Sequence, residues 1–403
     1  MISSCWARVG VCMLTAVLGF AVSSRADDGA RTFADLKRQH ERAYTAIQQR
    51  RRLARTDAES KAVQQEVWKE ARTAAGRAFA WAEAHPEDPE SVDAIVWTVH
   101  GIANGYFVEY DAETTRAFAL LTARAIDDEK VAPVCYYAAG AGFACPTAKR
   151  FLETALADSK SRLVRGAACL GLARSYHRLA EFIRLSHDPI TRKPLEEWNG
   201  VGMVTKFEGG DPEANDRRAE VYYKRVMDEF GDLKMPSPYN ETPFVGLARG
   251  ELYELRHLGI GKVAPSLAGE DVGGRKLRLG DYRGKVVVIV FWASWCGPCM
   301  EMIPHERELV RRLKDRPFVL LGVNGDDDRA KAVGVMTKES MTWPSLWNGG
   351  ATGGLVERLG VRSWPTIYVI DARGVIRYKN ERGEALEKAV DRLLAEAETG
   401  GNE

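Results

Sequence analysis

From Thr32 to about His257 the apolar positions recur at helical spacing. Phe33, Leu36, Ala43 and Ile47 share one face, as do Val63, Val67, Ala71 and the Ala74-Ala75 pair. A three-to-four-residue period is the mark of a helix with one buried stripe. Ala, Arg, Glu, Leu and Gln dominate this text, and all are good helix formers. His85-Pro86-Glu87-Asp88-Pro89-Glu90 reads as a stop, because proline breaks the helical hydrogen-bond ladder. Further helices are expected over 91–105, 113–126, 147–157, 162–185 and 212–230. The stretch 186–211 carries Gly and Pro with little period and is expected to be a long loop. The order of short helices and turns predicts an all-α array. Leu170-Gly171 and Ala219-Glu220-Val221-Tyr222-Tyr223 faintly resemble tetratricopeptide helices. A sustained period of about 34 residues is not visible, so an irregular array stands beside a tetratricopeptide-like one.

The pattern changes near Gly259. Gly259, Gly261, Pro265, Gly269, Gly273 and Gly274 crowd a short span of linker and turns. Then Lys-Val-Val-Val-Ile-Val-Phe at 285–291 forms a continuous β-branched run, as expected for a strand buried on both faces. Runs at 318–323 and 366–370 predict two more strands, and 374–379 a fourth, antiparallel to the third. Helical patterns at 297–314 and 329–340 separate them, and 384–396 closes the chain as an amphipathic helix. Alternating strands and helices predict an α/β fold around a central mixed sheet. The organisation expected is thus multi-domain: a leader over 1–26, a helical region over 27–258 and an α/β domain over 259–403.

Composition narrows the function classes. The chain has 403 residues with 57 basic and 56 acidic, a formal net charge of +1, so no strong field points to nucleic acid. Hydrophobic residues make up 45%, an ordinary globular share. No apolar run reaches the roughly 20 residues of a membrane span. Arg8, an apolar stretch from Val9 to Val22, and Ser24-Arg25-Ala26 match a secretory signal peptide cleaved after Ala26. Its expected consequence is export, to the periplasm or cell envelope. Cys135, Cys145, Cys169, Cys296 and Cys299 remain in the mature chain, where disulfides persist. Cys135 and Cys145, ten positions apart, are either a disulfide or buried free thiols acting as small hydrophobes.

Trp295-Cys296-Gly297-Pro298-Cys299 directly follows the predicted buried strand and opens a helix. Two cysteines at this spacing close a small disulfide ring. Cys296 would sit at the helix N-terminus, where unpaired N–H groups and the dipole favour a thiolate, the attacking form in disulfide exchange. Cys299, one turn in, is expected to be more buried and to resolve the mixed disulfide. Pro298 is tolerated in a first turn, whereas Pro304 is expected to kink the helix. A zinc site needs four ligands, and His305 stands without a second Cys pair. Arg50-Arg51-Arg52 reads as a solvated helix face, and Asp326-Asp327-Asp328 as a solvated loop with a helix cap.

The segment from Lys262 to Glu396 resembles the TlpA/ResA-like thiol–disulfide oxidoreductases of the thioredoxin superfamily, close to the redoxin group. Ala264-Pro265, Asp281-Tyr282-Arg283-Gly284-Lys285 and Val290-Phe291-Trp292-Ala293-Ser294-Trp295-Cys296-Gly297-Pro298-Cys299 carry the likeness. Pro304, Gly322-Val323-Asn324, Trp364-Pro365-Thr366 and Val369-Ile370-Asp371 complete it, over about one third of the chain. The resemblance implies a thioredoxin-like fold, catalytic Cys296 and Cys299, and an insertion over 324–360. It implies that Pro365 is a cis-proline facing the cysteine pair, with the Trp364 backbone exposed for a substrate strand. Trp295, Gly297, Pro298, Trp364 and Pro365 would then line the substrate site, with no cofactor and no metal. Protein disulfide or thiol clients, apocytochrome c among them, and a membrane-embedded electron donor are the implied partners. Gly-Pro between the cysteines resembles the reducing members, in a class spanning roughly −270 to −120 mV.

Two departures bear on proton transfer. Val290 stands where thioredoxins carry a buried Asp, and Met302 where many family members carry Glu. Glu301, His305 and Glu306 are left as candidates, beside solvent. Two other functions compete with disulfide exchange. A thiol peroxidase would want Thr or Ser at Ala293, and a helical protein-binding module would make the redox domain accessory.

Overall fold

The computed structural model describes residues 32–53, 57–101, 112–236 and 242–399. The expected signal peptide therefore lies outside the described residues. The chain forms two compact units, which among those residues comprise 32–183 with 195–249, and 184–194 with 250–399.

The first unit is helical. Its elements are α1 (Phe33–Leu53), α2 (Asp57–Ala84), α3 (Ser91–Gly101), α4 (Ala112–Arg124), α5 (Ala132–Gly142) and α6 (Pro146–Asp158). After α7 (Arg162–His187) come α8 (Pro189–Asn199), α9 (Val201–Glu208) and α10 (Pro212–Phe230), and a short antiparallel pair, β1 (Lys234–Met235) and β2 (Thr242–Pro243), precedes α11 (Phe244–His257); the parts of α7, α8 and α11 within 184–194 and from 250 on belong to the second unit. The all-α reading holds, and Phe33, Ile47, Val63, Val67 and Ala74-Ala75 are buried as the period requires. Helix lengths run from 8 to 28 residues, so a tetratricopeptide-like repeat gains no support. The loop expected over 186–211 is instead α8 and α9. Pro189 begins α8, where its missing N–H costs nothing, and Gly200 at φ 81° turns the chain between the two helices. Pro194 lies inside α8 without ending it. Arg50 pairs with Glu66 on a solvated face. Cys135, Cys145 and Cys169 are free and buried, and burial pushes the Cys169 thiol up to about 12.

The second unit is built on a five-stranded sheet. Its elements are the hairpin β3 (Ala268–Glu270) with β4 (Lys276–Arg278), then β5 (Val286–Trp292), α12 (Gly297–Arg312), β6 (Phe318–Asn324), α13 (Arg329–Lys338), β7 (Ser345–Trp347), α14 (Gly354–Arg358), β8 (Thr366–Ile370), β9 (Ile376–Lys379) and α15 (Gly383–Thr399). The sheet order is β7-β6-β5-β8-β9. β5 runs parallel to β6 and β6 to β7, while β8 and β9 are antiparallel to their neighbours. All seven β5 residues are buried. Period two divides them between the faces: Val286, Val288, Val290 and Trp292 join a core with Ile303 and Leu309 of α12 and Leu386, Val390 and Leu393 of α15. Val287, Ile289 and Phe291 join the opposite core with Leu258, Leu277, Leu355 and Tyr368. Residues 184–194 belong to this unit: Ile190 packs on the α12–α15 core, and the Asp188 carboxylate accepts the Tyr378 hydroxyl at 3.1 Å and Arg392 at 2.9 Å.

Helix α12 runs through Pro304 as one element. Its buried face carries Cys299, Ile303, Glu306 and Leu309, the spacing of a single helical stripe. Glu306 is a carboxyl in that stripe, 3% exposed, with Oε1 unpartnered. Burial disfavours its charged form and pushes it up to about 8 from the ordinary 4.5.

Two outcomes test this packing. A Cβ on Gly171 would lie 2.4 Å from the Cys135 carbonyl oxygen, so Gly171→Ala should destabilise the helical unit by about 1–3 kcal/mol in urea unfolding; no loss would refute that close approach. Glu306 keeps a proton that the unfolded chain releases above about pH 4.5, so its contribution falls as pH rises from 4.5 to 8. Glu306→Gln should therefore gain on wild type by a few kcal/mol between pH 5 and pH 8, read as the difference in urea midpoints, and a pH-independent difference would contradict a protonated Glu306.

Candidate active site

The sheet register brings three chain segments to one end. Trp292, the last residue of β5, pairs with Asn324, the last of β6, and Phe291 pairs with Thr366, the first of β8. The segments leaving β5 and β6 and the one entering β8 therefore meet there. They carry Trp295–Cys299, Gly325-Asp326 and Trp364-Pro365.

The residues after Trp292 turn sharply, with the Cys296 N–H donating to the Ala293 carbonyl at 3.0 Å. Cys296 then caps α12 from an extended conformation, and its Sγ accepts the Cys299 N–H at 3.2 Å. Sulfur here does what a Ser or Asp oxygen does at most helix starts. Gly297 and Pro298 open the helix and are exposed, and Pro298 in the first turn has no N–H to leave unpaired. Cys296 and Cys299 are joined as a disulfide, with Cα atoms 5.3 Å apart. Cys299, expected to be the more buried, is 3% exposed against 4% for Cys296, so the two are buried almost alike. Both belong to the core cluster with Ile303 and Val290, whereas Trp295, Gly297 and Pro298 beside them are exposed.

Trp364-Pro365 is a cis peptide. Trp364 stands over Gly325, where a Cβ would come within 2.2 Å of the indole. A side chain there would be overpacked, so the missing Cβ is what lets Trp364 lie against the segment after β6. The Trp295 ring meets Trp364 edge-on at 5.4 Å between centroids, and Trp295 is 56% exposed. Trp292 by contrast is core, its indole N–H donating to Ser345 Oγ at 2.9 Å. Arg382 donates to the Pro365 carbonyl at 3.2 Å, and Asn380, at φ 61°, exchanges two hydrogen bonds with Ile367 that hold the start of β8. Thus Trp295, Cys296, Gly297, Pro298, Cys299, Trp364 and Pro365 gather at one end of the sheet.

The proton-transfer candidates separate. Glu301 is exposed, His305 pairs with Glu387 at 3.4 Å, and Glu306 is buried on the Cys299 side of α12. Val290 and Met302 pack into the core. The expectation that Asp326 is solvated is corrected. It is 2% exposed, and its carboxylate accepts the Ser294 N–H and hydroxyl. Asp328 is the helix cap, accepting from Ala330 N–H. Asp326 was hidden because a run of three acidic residues reads as surface, whereas only the first turns inward after β6.

Comparison with known proteins converges on this segment. Residues 260–379 match the AhpC/TSA family. The chain is similar to the thiol–disulfide oxidoreductase ResA of Bacillus thuringiensis, with 26% identity over 37% of this chain and 84% of that protein. It is 30% identical to the thioredoxin-like protein YneN of Bacillus subtilis over 32% of this chain and 75% of that protein. Among solved structures it matches the thioredoxin domain of a thiol–disulfide oxidoreductase from Bacteroides vulgatus at 26% identity, covering 34% of this chain and 98% of that one, with a TM-score of 0.32. With a bonded Cys-x-x-Cys pair opening a helix after a buried central strand, this chain belongs, through its C-terminal third, to the ResA-like thiol–disulfide oxidoreductases of the AhpC/TSA family.

Proposed function

We propose that the protein reduces disulfides of client proteins in the cell envelope, with Cys296 as nucleophile and Cys299 as resolving thiol. In the reduced state the Cys296 thiolate attacks one sulfur of a client disulfide. A Cys296–client disulfide forms and the other client sulfur leaves as a thiolate. Cys299, after losing its proton, attacks Cys296 Sγ. The Cys296–Cys299 disulfide forms and the second client thiolate departs. The client gains two electrons and two protons, and the enzyme is left oxidised. A dithiol donor, membrane-embedded by family resemblance, must then return two electrons.

The observation that carries this reading is the capping bond from Cys299 N–H to Cys296 Sγ. A hydrogen bond to sulfur is stronger when the sulfur is charged, and the helix N-terminus adds its dipole. Both favour the thiolate at Cys296, the form that attacks the client disulfide. The client strand would lie along Trp364-Pro365 with Trp295, Gly297 and Pro298 at its side. Trp295 supports this role as a large exposed ring beside the cysteines, since aromatic rings with one wet edge suit transient protein contacts. An envelope location rests on the expected signal peptide.

The test is insulin reduction with dithiothreitol, followed by turbidity. Wild type should accelerate precipitation and Cys296→Ser should return it to the uncatalysed rate; equal rates would end the proposal. Cys299→Ser should accumulate a client joined through Cys296 and released by reductant, whereas a client held only through residues 27–258 would favour the helical binding module.

A further inference from the structure

The turn that delivers Cys296 is held by a buried carboxylate that no step above uses. The two Asp326 oxygens accept the Ser294 N–H at 3.1 and 3.0 Å, the Ser294 hydroxyl at 2.7 Å and the Asn324 side-chain amide at 2.8 Å. The Asp326 N–H donates to Asn324 Oδ1 at 3.1 Å, and its carbonyl accepts the Trp347 indole at 3.0 Å. The residue is thus fixed through its side chain and both backbone groups. Each partner of the carboxylate is a neutral donor, so hydrogen bonds solvate the charge, and among the described residues no ion pair cancels it. Ser294 lies two positions before Cys296, inside the turn closed by the Cys296 N–H.

We infer that Asp326 is a positioning residue for Cys296: it pins the turn at 293–296 through Ser294, and its negative charge opposes ionisation of the Cys296 thiol. This rests on the reading of Cys296 as nucleophile. Two influences then meet at one sulfur. The N-terminus of α12 favours the thiolate, and the buried Asp326 carboxylate, bound to Ser294 two positions earlier, restrains it. Charges in a protein interior are poorly screened. A less stable thiolate weakens the reduced form relative to the disulfide, which moves the couple towards the reducing end of its class. The arrangement therefore bears on the direction of the reaction, in which electrons pass from Cys296 and Cys299 to the client.

The experiment measures alkylation of reduced protein by iodoacetamide against pH, with Cys296 followed by peptide mass, and the dithiol–disulfide equilibrium against glutathione. Asp326→Asn keeps the shape and removes the charge. It should raise the thiolate-to-thiol ratio of Cys296 about three- to tenfold at a given pH, and shift the glutathione equilibrium towards the dithiol by a similar factor. Asp327→Asn, which removes an exposed charge one position on, should leave both unchanged. An alkylation midpoint equal to or above wild type in Asp326→Asn, or an equal shift in Asp327→Asn, would overturn the inference. If Asp326→Asn does not fold, wild type alone decides. A midpoint of about pH 6 or above agrees with a restrained thiol, and a lower one, towards the strongly oxidising members, overturns it. Failure of the functional reading would show separately, as insulin reduction unaffected by Cys296→Ser.

Discussion

A helix cannot begin in a protein interior without something to accept its first N–H groups. At the start of α12 the Cys299 N–H is shared between the Cys296 carbonyl at 3.0 Å and the sulfur of Cys296 at 3.2 Å. The rest of the site depends on this substitution of sulfur for oxygen. A Ser or Asp cap would stabilise the helix and nothing else. A thiol in the same place gains from the N–H groups most when it is ionised, so the need of the helix for a cap and the need of the reaction for a thiolate are met by one atom. The second cysteine owes its place to the same geometry, because the N–H that caps belongs to Cys299.

What aims this helix start is the sheet. β5 is buried along its whole length, so it has no freedom to slide, since a one-residue slip would exchange its two faces. Its pairing with β6 and β8 fixes which residues share its end. Trp364 then fits over Gly325, and Trp295 against Trp364, so each of the three segments is packed by another. Asp326 ties the first segment to the second by hydrogen bonds. The site is thus assembled from neighbouring strand ends, with both cysteines on the segment that leaves β5.

Much of this was legible in the sequence, because period and placement speak loudly where burial is complete. The β-branched run before Trp295 announced the central strand, the Cys-x-x-Cys after it announced the helix start, and α10 and β8 fall at the expected bounds. The failures share a cause: tertiary context overrode local composition. Gly and Pro at 186–211 suggested a loop, yet two helices form with Pro189 at a start and Gly200 at a break. Three consecutive aspartates suggested solvent, yet Asp326 finds Ser294 from another segment, a partner no local pattern names. The short strand β7 carries only three residues and gave no period to read. The roles proposed for Cys296 and Cys299 differ, but their burial is alike, because the cap residue and the residue one turn on both belong to the core.

The central claim is that, of the five cysteines among the described residues, one is poised to attack. The most direct measurement is competitive labelling of the fully reduced, folded protein at pH 7 with less than one equivalent of iodoacetamide, followed by peptide mapping. The account predicts that label falls on Cys296 first, and that Cys135, Cys145 and Cys169 take it up only after denaturation. Label shared evenly between Cys296 and Cys299, or arriving first at a cysteine of the helical unit, would contradict it.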